Sequence, residues 1–136
     1  MKKIFLTLFF IILSTNLYAS NIKKVYFAGG CFWCMEESFD KVEGVIETIS
    51  GYSGGHVKNP KYKDVVKNTT GHYETLEITY DPSITNFEKL LEIFWVNIDP
   101  FDADGQFCDK GESYKSVVSV SYTHLTLPTI SRVSVG

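Results

Sequence analysis

Two cysteines three positions apart are the residues of this chain best suited to redox chemistry. Cys31 and Cys34 lie in the run Gly-Gly-Cys-Phe-Trp-Cys at 29–34, after an apolar, strand-like stretch at 25–28 and before a segment with helical spacing. This junction predicts that Cys31 lies at a helix N-terminus, where free backbone N–H groups and the helix dipole stabilise a thiolate. A thiolate is a nucleophile, so we expect the chemistry at Cys31. The alternative is a buried structural cysteine among core aromatic residues.

A carboxyl group on the apolar face of a strand is the second feature that predicts chemistry. Residues 72–80 alternate, and Glu74 falls on the same face as Leu76 and Ile78. Desolvation on that face raises the pKa of a carboxyl group, which then stays protonated near neutral pH and can donate a proton. The alternative is a solvated or lysine-paired carboxylate at the sheet margin. We expect His72, two positions earlier, to act as a hydrogen-bonding support rather than as a base.

Further polar residues lie in segments that resemble loops, where binding groups are common. These are Tyr62, Asp109 and Tyr114, none of which stands out alone. Cys108, beside Asp109, is a third thiol available for exchange. Because three cysteines cannot all pair with one another, we expect one thiol to stay free for reaction. With only three histidines and no second close cysteine pair, we expect no metal site.

The first residues predict export. Two lysines precede an apolar run at 4–13 that is too short to span a bilayer, and Ala19 offers a cleavage point, so residues 1–19 read as a signal peptide. Cleavage there leaves eleven Lys and Arg against sixteen Asp and Glu, a net charge of −5. This acidic balance argues against nucleic acid as a partner. We expect a monomer, periplasmic or secreted, without stable membrane insertion.

The remaining patterns define one domain at 20–118. Helices are predicted at 31–42 and 87–98 with a short helical turn at 63–67, strands at 25–28, 45–52, 72–80 and from Tyr114, and a loop at 99–111. This order predicts an α+β fold, a ferredoxin-like split βαβ sandwich whose mostly antiparallel sheet carries its helices on one face. Residues 119–136 have no acidic residue and seven Ser and Thr. They read either as an edge strand with a loose end or as an artefact appended to a shortened domain.

The ordered motifs resemble the type A peptide-methionine sulfoxide reductases, which reduce the S epimer of methionine sulfoxide. The resemblance runs from about Val25 to Val118 with the spacing of that family, and its many motifs make it specific. The matching stretches are 29–33, 50–55, 59–62, 71–74, 80–82, 94–95, 99–100, 105–111 and 113–114.

The resemblance implies a role for each residue singled out above. Cys31 attacks the sulfoxide sulfur, Glu74 protonates the oxygen, and two tyrosines, Tyr62 and Tyr114, hydrogen-bond to that oxygen. The aromatic pair at 32–33 is the apolar part of the site.

In that pair, Phe32 and Trp33 hold the methyl group, and Asp109 binds the substrate region through water. The product is methionine and a sulfenic acid on Cys31, which condenses with a second thiol to a disulfide. No cofactor is bound, and a thioredoxin-like protein or another dithiol reopens the disulfide. The implied substrates are oxidised proteins, peptides and free methionine sulfoxide, so the activity repairs oxidative damage.

The second thiol is where the chain departs from its relatives, many of which carry recycling cysteines in a C-terminal segment. Here the candidates are Cys34, spaced from Cys31 as in other Cys-X-X-Cys pairs, and Cys108. Cys108 adjoins Asp109 and needs no strained short ring, which favours it.

An exported thioredoxin-like disulfide oxidoreductase using Cys31 and Cys34 is the competing hypothesis. Two aromatic residues separate the cysteines, and the three prolines before the tail each follow Asn or Asp in turn-like settings. None of them has the usual setting of a cis-proline opposite a thiol pair. A third hypothesis is a non-enzymatic protein, either a secreted binding module or an inactive truncated product. Only the unusual tail supports it.

Overall fold

The computed structural model describes residues 21–120 and 131–132. The predicted signal peptide and most of the atypical tail therefore lie outside the described residues. The elements in chain order are β1 (Lys23–Ala28), α1 (Phe32–Phe39), β2 (Val45–Ser53), α2 (Tyr62–Val65), β3 (Tyr73–Tyr80), α3 (Phe87–Val96), β4 (Gly105–Gln106), β5 (Asp109–Lys110), a 3₁₀ turn (Glu112–Tyr114), β6 (Val117–Val120) and β7 (Ser131–Arg132).

The main sheet has five strands in the order β6-β1-β3-β2-β7, and every described pairing is antiparallel. Strand β3 is inserted between β1 and β2, the two strands that α1 connects. This is the split βαβ arrangement, so the predicted α+β class and its mostly antiparallel sheet are confirmed. Strands β4 and β5 form a separate hairpin.

The core lies between one face of the sheet and the two longer helices. Phe27 of β1 is fully buried, with its ring centroid 5.6 Å from that of Phe39 in α1 and 4.8 Å from that of Phe94 in α3. Both helices present apolar residues at helical spacing to this face, and α3 begins where the Asn86 side chain accepts a hydrogen bond from the Lys89 N–H at 2.8 Å. Burying each large side chain contributes about 1.5–3 kcal/mol. The helices thereby fix the strand ends that carry the site.

Strand β3 keeps the predicted alternation, but both of its faces are buried. Leu76 and Ile78 lie in the core, and Thr75, Glu77 and Thr79 on the opposite face are buried as well. Strand β3 lies between β1 and β2, so side chains of both neighbouring strands crowd its side chains on each face. On the face opposite the core, Lys24 of β1 also forms an ion pair with Glu77. Every residue of β3 after Tyr73 is therefore buried, including Glu74.

Most of the predicted boundaries shift by one or two residues, and three predictions change more. Helix α1 ends at Phe39 rather than at 42, and the predicted loop at 99–111 contains the β4–β5 hairpin. The strand expected from Tyr114 begins at Val117, because 112–114 first form a 3₁₀ turn. Across the described part of the chain, no helix combines the length and apolar character needed to cross a membrane.

Candidate active site

Cys31 is the N-cap residue of α1. Its backbone is extended (φ −60°, ψ 112°), and its carbonyl oxygen accepts from the Cys34 N–H at 3.1 Å and the Met35 N–H at 3.2 Å. The preceding Gly30 has φ +84°, and a Cβ there would come within 2.7 Å of the Gln106 Cβ. Both the backbone conformation and the available space thus require glycine. Cys31 thus lies at a helix N-terminus, as predicted, and its side chain is half-buried.

Glu74 is buried beside the first turn of α1. Its side chain is 2 % exposed, and Oε2 accepts from the backbone N–H of Phe32 at 3.3 Å. Oε1 is buried without a hydrogen-bond partner among the described residues. The pKa of Glu74 is raised to about 7: burial is the largest cause, the hydrogen bond from the Phe32 N–H lowers it, the charge of Asp109 raises it, and the Tyr114 hydroxyl lowers it slightly. The carboxyl therefore carries a proton much of the time near neutral pH.

Three tyrosines surround this carboxyl group. Tyr114 ends the 3₁₀ turn, and its pKa is raised first by burial and then by interaction with the Tyr62 hydroxyl and the Glu74 charge. Tyr62 begins α2 and is 45 % exposed. Tyr52 pairs with Glu74 in the sheet register and has a buried hydroxyl without a partner among the described residues; burial and the Glu74 charge raise its pKa to about 12. Because their pKa values are raised, Tyr114 and Tyr52 stay neutral near pH 7 and can donate hydrogen bonds.

An aromatic wall lies beside Cys31. Phe32 is buried against Tyr52, with ring centroids 5.8 Å apart, and Trp33 lies 5.2 Å from Phe32. Trp33 is 53 % exposed and stacks on Tyr62 at 6.3 Å with 22° between the ring planes. The wall is therefore apolar at its base and open to solvent at its rim, where a side chain of a substrate could enter.

Cys31 also lines a cavity of about 180 Å³. All three cysteines contribute to its lining, together with Asp109; the full lining is Gly29, Cys31, Cys34, Met35, Asn97, Gln106, Phe107, Cys108 and Asp109. Cys34 and Cys108 are exposed thiols. The pKa of the Cys34 thiol is raised, mainly by hydrogen bonding to the Cys31 thiol and then by burial. The cavity thus brings Cys34 and Cys108 to the same pocket as Cys31.

Gln106 holds the loop that carries Cys108, and sequence reasoning missed it. Its side chain is buried; Oε1 accepts from the Asp99 N–H at 2.6 Å, and Nε2 donates to the carbonyls of Asp99 at 2.8 Å and Gly105 at 2.7 Å. The next residue, Phe107, adopts φ +51° and is 64 % exposed, a strained turn that presents Cys108. A glutamine in a glycine-rich loop carries no pattern that reveals these contacts.

His72 has the supporting role expected for it. Its Nδ1 accepts from the Gly55 N–H at 3.3 Å, and Nε2 lies 2.9 Å from the Val57 carbonyl, to which it donates in the matching tautomer. The ring therefore fixes the glycine-rich loop after β2. In the ranges that the structure describes, no three His, Cys, Asp or Glu side chains are grouped so as to hold a metal ion.

The structure brings most of the predicted site residues together. Phe32 and Tyr114 lie at Glu74, Tyr62 lies beside Tyr114 and Trp33, and Asp109 is near enough for its charge to act on Glu74. Together, the fold and the site define a class: antiparallel α+β domains in which a cysteine at a helix N-terminus lies beside a buried carboxylic acid and tyrosine hydroxyls.

Comparison with known proteins identifies the family within this class. A family model described as peptide methionine sulfoxide reductase matches residues 23–126. The peptide methionine sulfoxide reductase MsrA of Listeria welshimeri is 53 % identical over 98 residues, which are 72 % of this chain and 55 % of the relative. The enzyme of the same name from Bacillus pumilus is 55 % identical over 96 residues, covering 71 % of this chain and 54 % of the relative.

Among solved structures, methionine sulfoxide reductase A of Corynebacterium diphtheriae superposes with a TM-score of 0.73 at 30 % identity, over 75 % of this chain and 48 % of that one. The chain belongs to the peptide methionine sulfoxide reductase family. It spans about half the length of the curated relatives that it matches.

Proposed function

We propose that the chain reduces the S epimer of methionine sulfoxide, free or in proteins, to methionine. The observation that carries the proposal is the arrangement of Glu74. One of its oxygens accepts from the N–H of the residue after Cys31, the other is buried without a described partner, and the pKa is raised to about 7. A carboxylic acid with a free oxygen next to a thiol suits attack on sulfur coupled to protonation of oxygen.

The reaction transfers an oxygen atom and two electrons. The Cys31 sulfur attacks the sulfoxide sulfur, Glu74 donates its proton to the sulfoxide oxygen, and the oxygen passes to Cys31. The substrate sulfur is reduced to the thioether, and Cys31 is oxidised to the sulfenic acid; the thiol's proton restores Glu74. Oriented hydroxyls at the oxygen lower the barrier because they stabilise the charge that develops there, a role we assign to Tyr62 and Tyr114.

The substrate's apolar part would lie on the aromatic wall. Phe32 and Trp33 would hold the methyl group, since the faces of their rings are apolar and a polar substituent placed against them would lose its hydration. Asp109 would bind the neighbouring polar part of the substrate through water. These assignments transfer the roles of the family motifs to the matching residues of this chain. They are supported by the positions of Phe32 and Trp33 directly after Cys31 and of Asp109 near Glu74.

Turnover of a peptide containing one methionine sulfoxide tests the proposal. With dithiothreitol as reductant, mass spectrometry is expected to show loss of the S epimer, while a matched R-epimer peptide stays unchanged. A chain that leaves both epimers intact but reduces the disulfides of insulin would instead be a thioredoxin-like oxidoreductase, and the proposal would be wrong.

We propose that Cys34 or Cys108 resolves the sulfenic acid; the sequence favoured Cys108, but the effect of the Cys31 thiol on the pKa of Cys34, three positions away in the same cavity, favours Cys34. The condensation forms one S–S bond and releases water. After a single turnover without reductant, peptide mapping is expected to find the Cys31–Cys34 disulfide. Recovery of Cys31–Cys108 instead would assign the role to the hairpin thiol. With both partner thiols replaced by serine, dimedone should trap the sulfenic acid.

Recycling and location complete the proposal. A thioredoxin-like protein or another dithiol would reduce the disulfide, the substrates would be oxidised proteins and peptides, and the chain would act as a monomer outside the cytoplasm. The support for export is the pattern of residues 1–19. After expression in a bacterial host, the protein is expected in the periplasmic fraction, with the intact mass of a chain that starts at Ser20. A cytoplasmic protein retaining Met1 would contradict the assignment.

A further inference from the structure

Asn68 joins two segments that are far apart in the chain. It follows α2 in a left-handed conformation (φ +57°), and its N–H donates to the Val65 carbonyl at 2.9 Å. Its Oδ1 accepts from both the N–H and the hydroxyl of Ser113, at 3.0 and 3.2 Å. Gly111 makes room for this side chain, since a Cβ there would lie 2.4 Å from the Asn68 Nδ2.

The two joined segments each carry one of the tyrosines near Glu74. Tyr62 begins α2, the helix that Asn68 follows, and Tyr114 comes directly after Ser113 in the 3₁₀ turn. Ser113 is fully buried, so its N–H and hydroxyl depend on this partner. The link therefore fixes the separation between the two tyrosine-bearing segments, whereas Asn68 itself is exposed and outside the core.

We propose that Asn68 is a positioning residue for the reaction, because its bond to Ser113 sets the two hydroxyls of Tyr62 and Tyr114 on the sulfoxide oxygen. The inference rests on the proposed function. The inference goes beyond that function because it assigns the alignment of the two tyrosine hydroxyls to Asn68, a residue that touches neither the substrate nor the reacting thiol. An error of about 1 Å in the placement of catalytic groups costs up to about a hundredfold in rate.

Asn68→Gly tests the proposal, because glycine keeps the left-handed backbone and removes the bridge to Ser113; the only other side-chain bond lost among the described residues is the local one from Nδ2 to the Val66 carbonyl, at 3.4 Å, which Asn68→Asp loses as well. The rate of sulfenic acid formation in a single turnover is expected to fall roughly tenfold. Asn68→Asp retains an oxygen acceptor for both Ser113 groups and should recover the rate to within about threefold of the parent. The matched control is Asn59→Gly, the same change at another exposed left-handed residue (φ +52°), which should alter the rate by less than about twofold.

A double-phenylalanine background separates positioning from general loosening. In Tyr62→Phe/Tyr114→Phe, which lacks both hydroxyls, Asn68→Gly should add less than about twofold, because coupled residues are not additive. If Asn68→Gly lowered the single-turnover rate by the same factor in the parent and in the double-phenylalanine variant, the proposal would be overturned. It would also be overturned if Asn68→Gly left the rate of the parent unchanged. If Asn68→Gly does not fold, Ser113→Ala, which removes one of the two bonds, takes its place with the same background test. A parent without turnover would reject the proposed function itself.

Discussion

Replacing Cys31 by serine is expected to abolish reduction of the S-epimer peptide, with kcat/KM falling roughly a thousandfold or more. A serine hydroxyl at this N-cap position is not ionised near neutral pH and forms no analogue of the sulfenic acid. The fold should be retained, because the Cys31 side chain makes no cap hydrogen bond in α1. Steady-state turnover with dithiothreitol and far-ultraviolet circular dichroism measure the two effects.

Cys34→Ser and Cys108→Ser are the matched controls for that loss. Each removes a thiol from the same cavity, yet the first turnover should proceed and yield one methionine per chain. Only recycling depends on these thiols in the proposed reaction. If Cys31→Ser kept its turnover while Cys34→Ser lost it, the nucleophile would be the second cysteine and the proposed chemistry would have to be reassigned.

Glu74→Gln is expected to slow sulfenic acid formation roughly a hundredfold with little change in substrate binding, since proton donation acts in the transition state. The ratio of parent to variant rates should be largest at acidic pH and fall as the pH rises through about 7, where Glu74 loses its proton. Taking the ratio at each pH cancels the pH dependence that both chains share. Single-turnover rates between pH 5 and 9 provide the measurement.

The same substitution should stabilise the fold at alkaline pH. Because the folded-state pKa of Glu74 is raised from 4.5 to about 7, the native state binds the proton more tightly than the unfolded chain. Its contribution to stability is fully present below pH 4.5 and is lost as the pH rises through about 7, a change of about 3 kcal/mol. Urea unfolding should therefore find Glu74→Gln more stable than the parent at pH 8.

Glu77→Gln is a control within the same strand. Glu77 is buried on the opposite face of β3, where it forms an ion pair with Lys24, so its loss should lower the free energy of unfolding and leave the rate unchanged. Equal single-turnover rates for the parent and Glu74→Gln near pH 6 would refute the role of Glu74 as the acid. A parent-to-variant ratio that is constant from pH 5 to 9 would do the same.

Local patterns predicted the parts of the site that local rules determine. Period-two alternation placed Glu74 on the helix face of β3, and the glycine pair before Cys31 marked the turn into α1; both features depend on neighbouring residues only. The split βαβ arrangement followed from the order of the elements. In contrast, the burial of both faces of β3 required knowing that the strand is central.

Long-range partners account for what the sequence pattern missed. Asn68 bonds to Ser113, 45 positions away, and Gln106 packs against Gly30 while its amide holds the backbone of Asp99. Nothing in the composition of their own segments distinguishes these residues from surface amides. The buried hydroxyl of Tyr52 was missed for a related reason: its register with Glu74 appears only when β2 pairs with β3.

The bond from the Phe32 N–H to Glu74 gives the protein a built-in spectroscopic reporter. This amide proton connects the first turn of α1 to the carboxyl group across 42 residues of sequence. When Glu74 ionises, the bond becomes charge-assisted and shortens, so the amide chemical shift of Phe32 should follow the carboxyl's titration. The protonation state of the buried acid can then be tracked in the resting protein by nuclear magnetic resonance, without substrate and without a mutation.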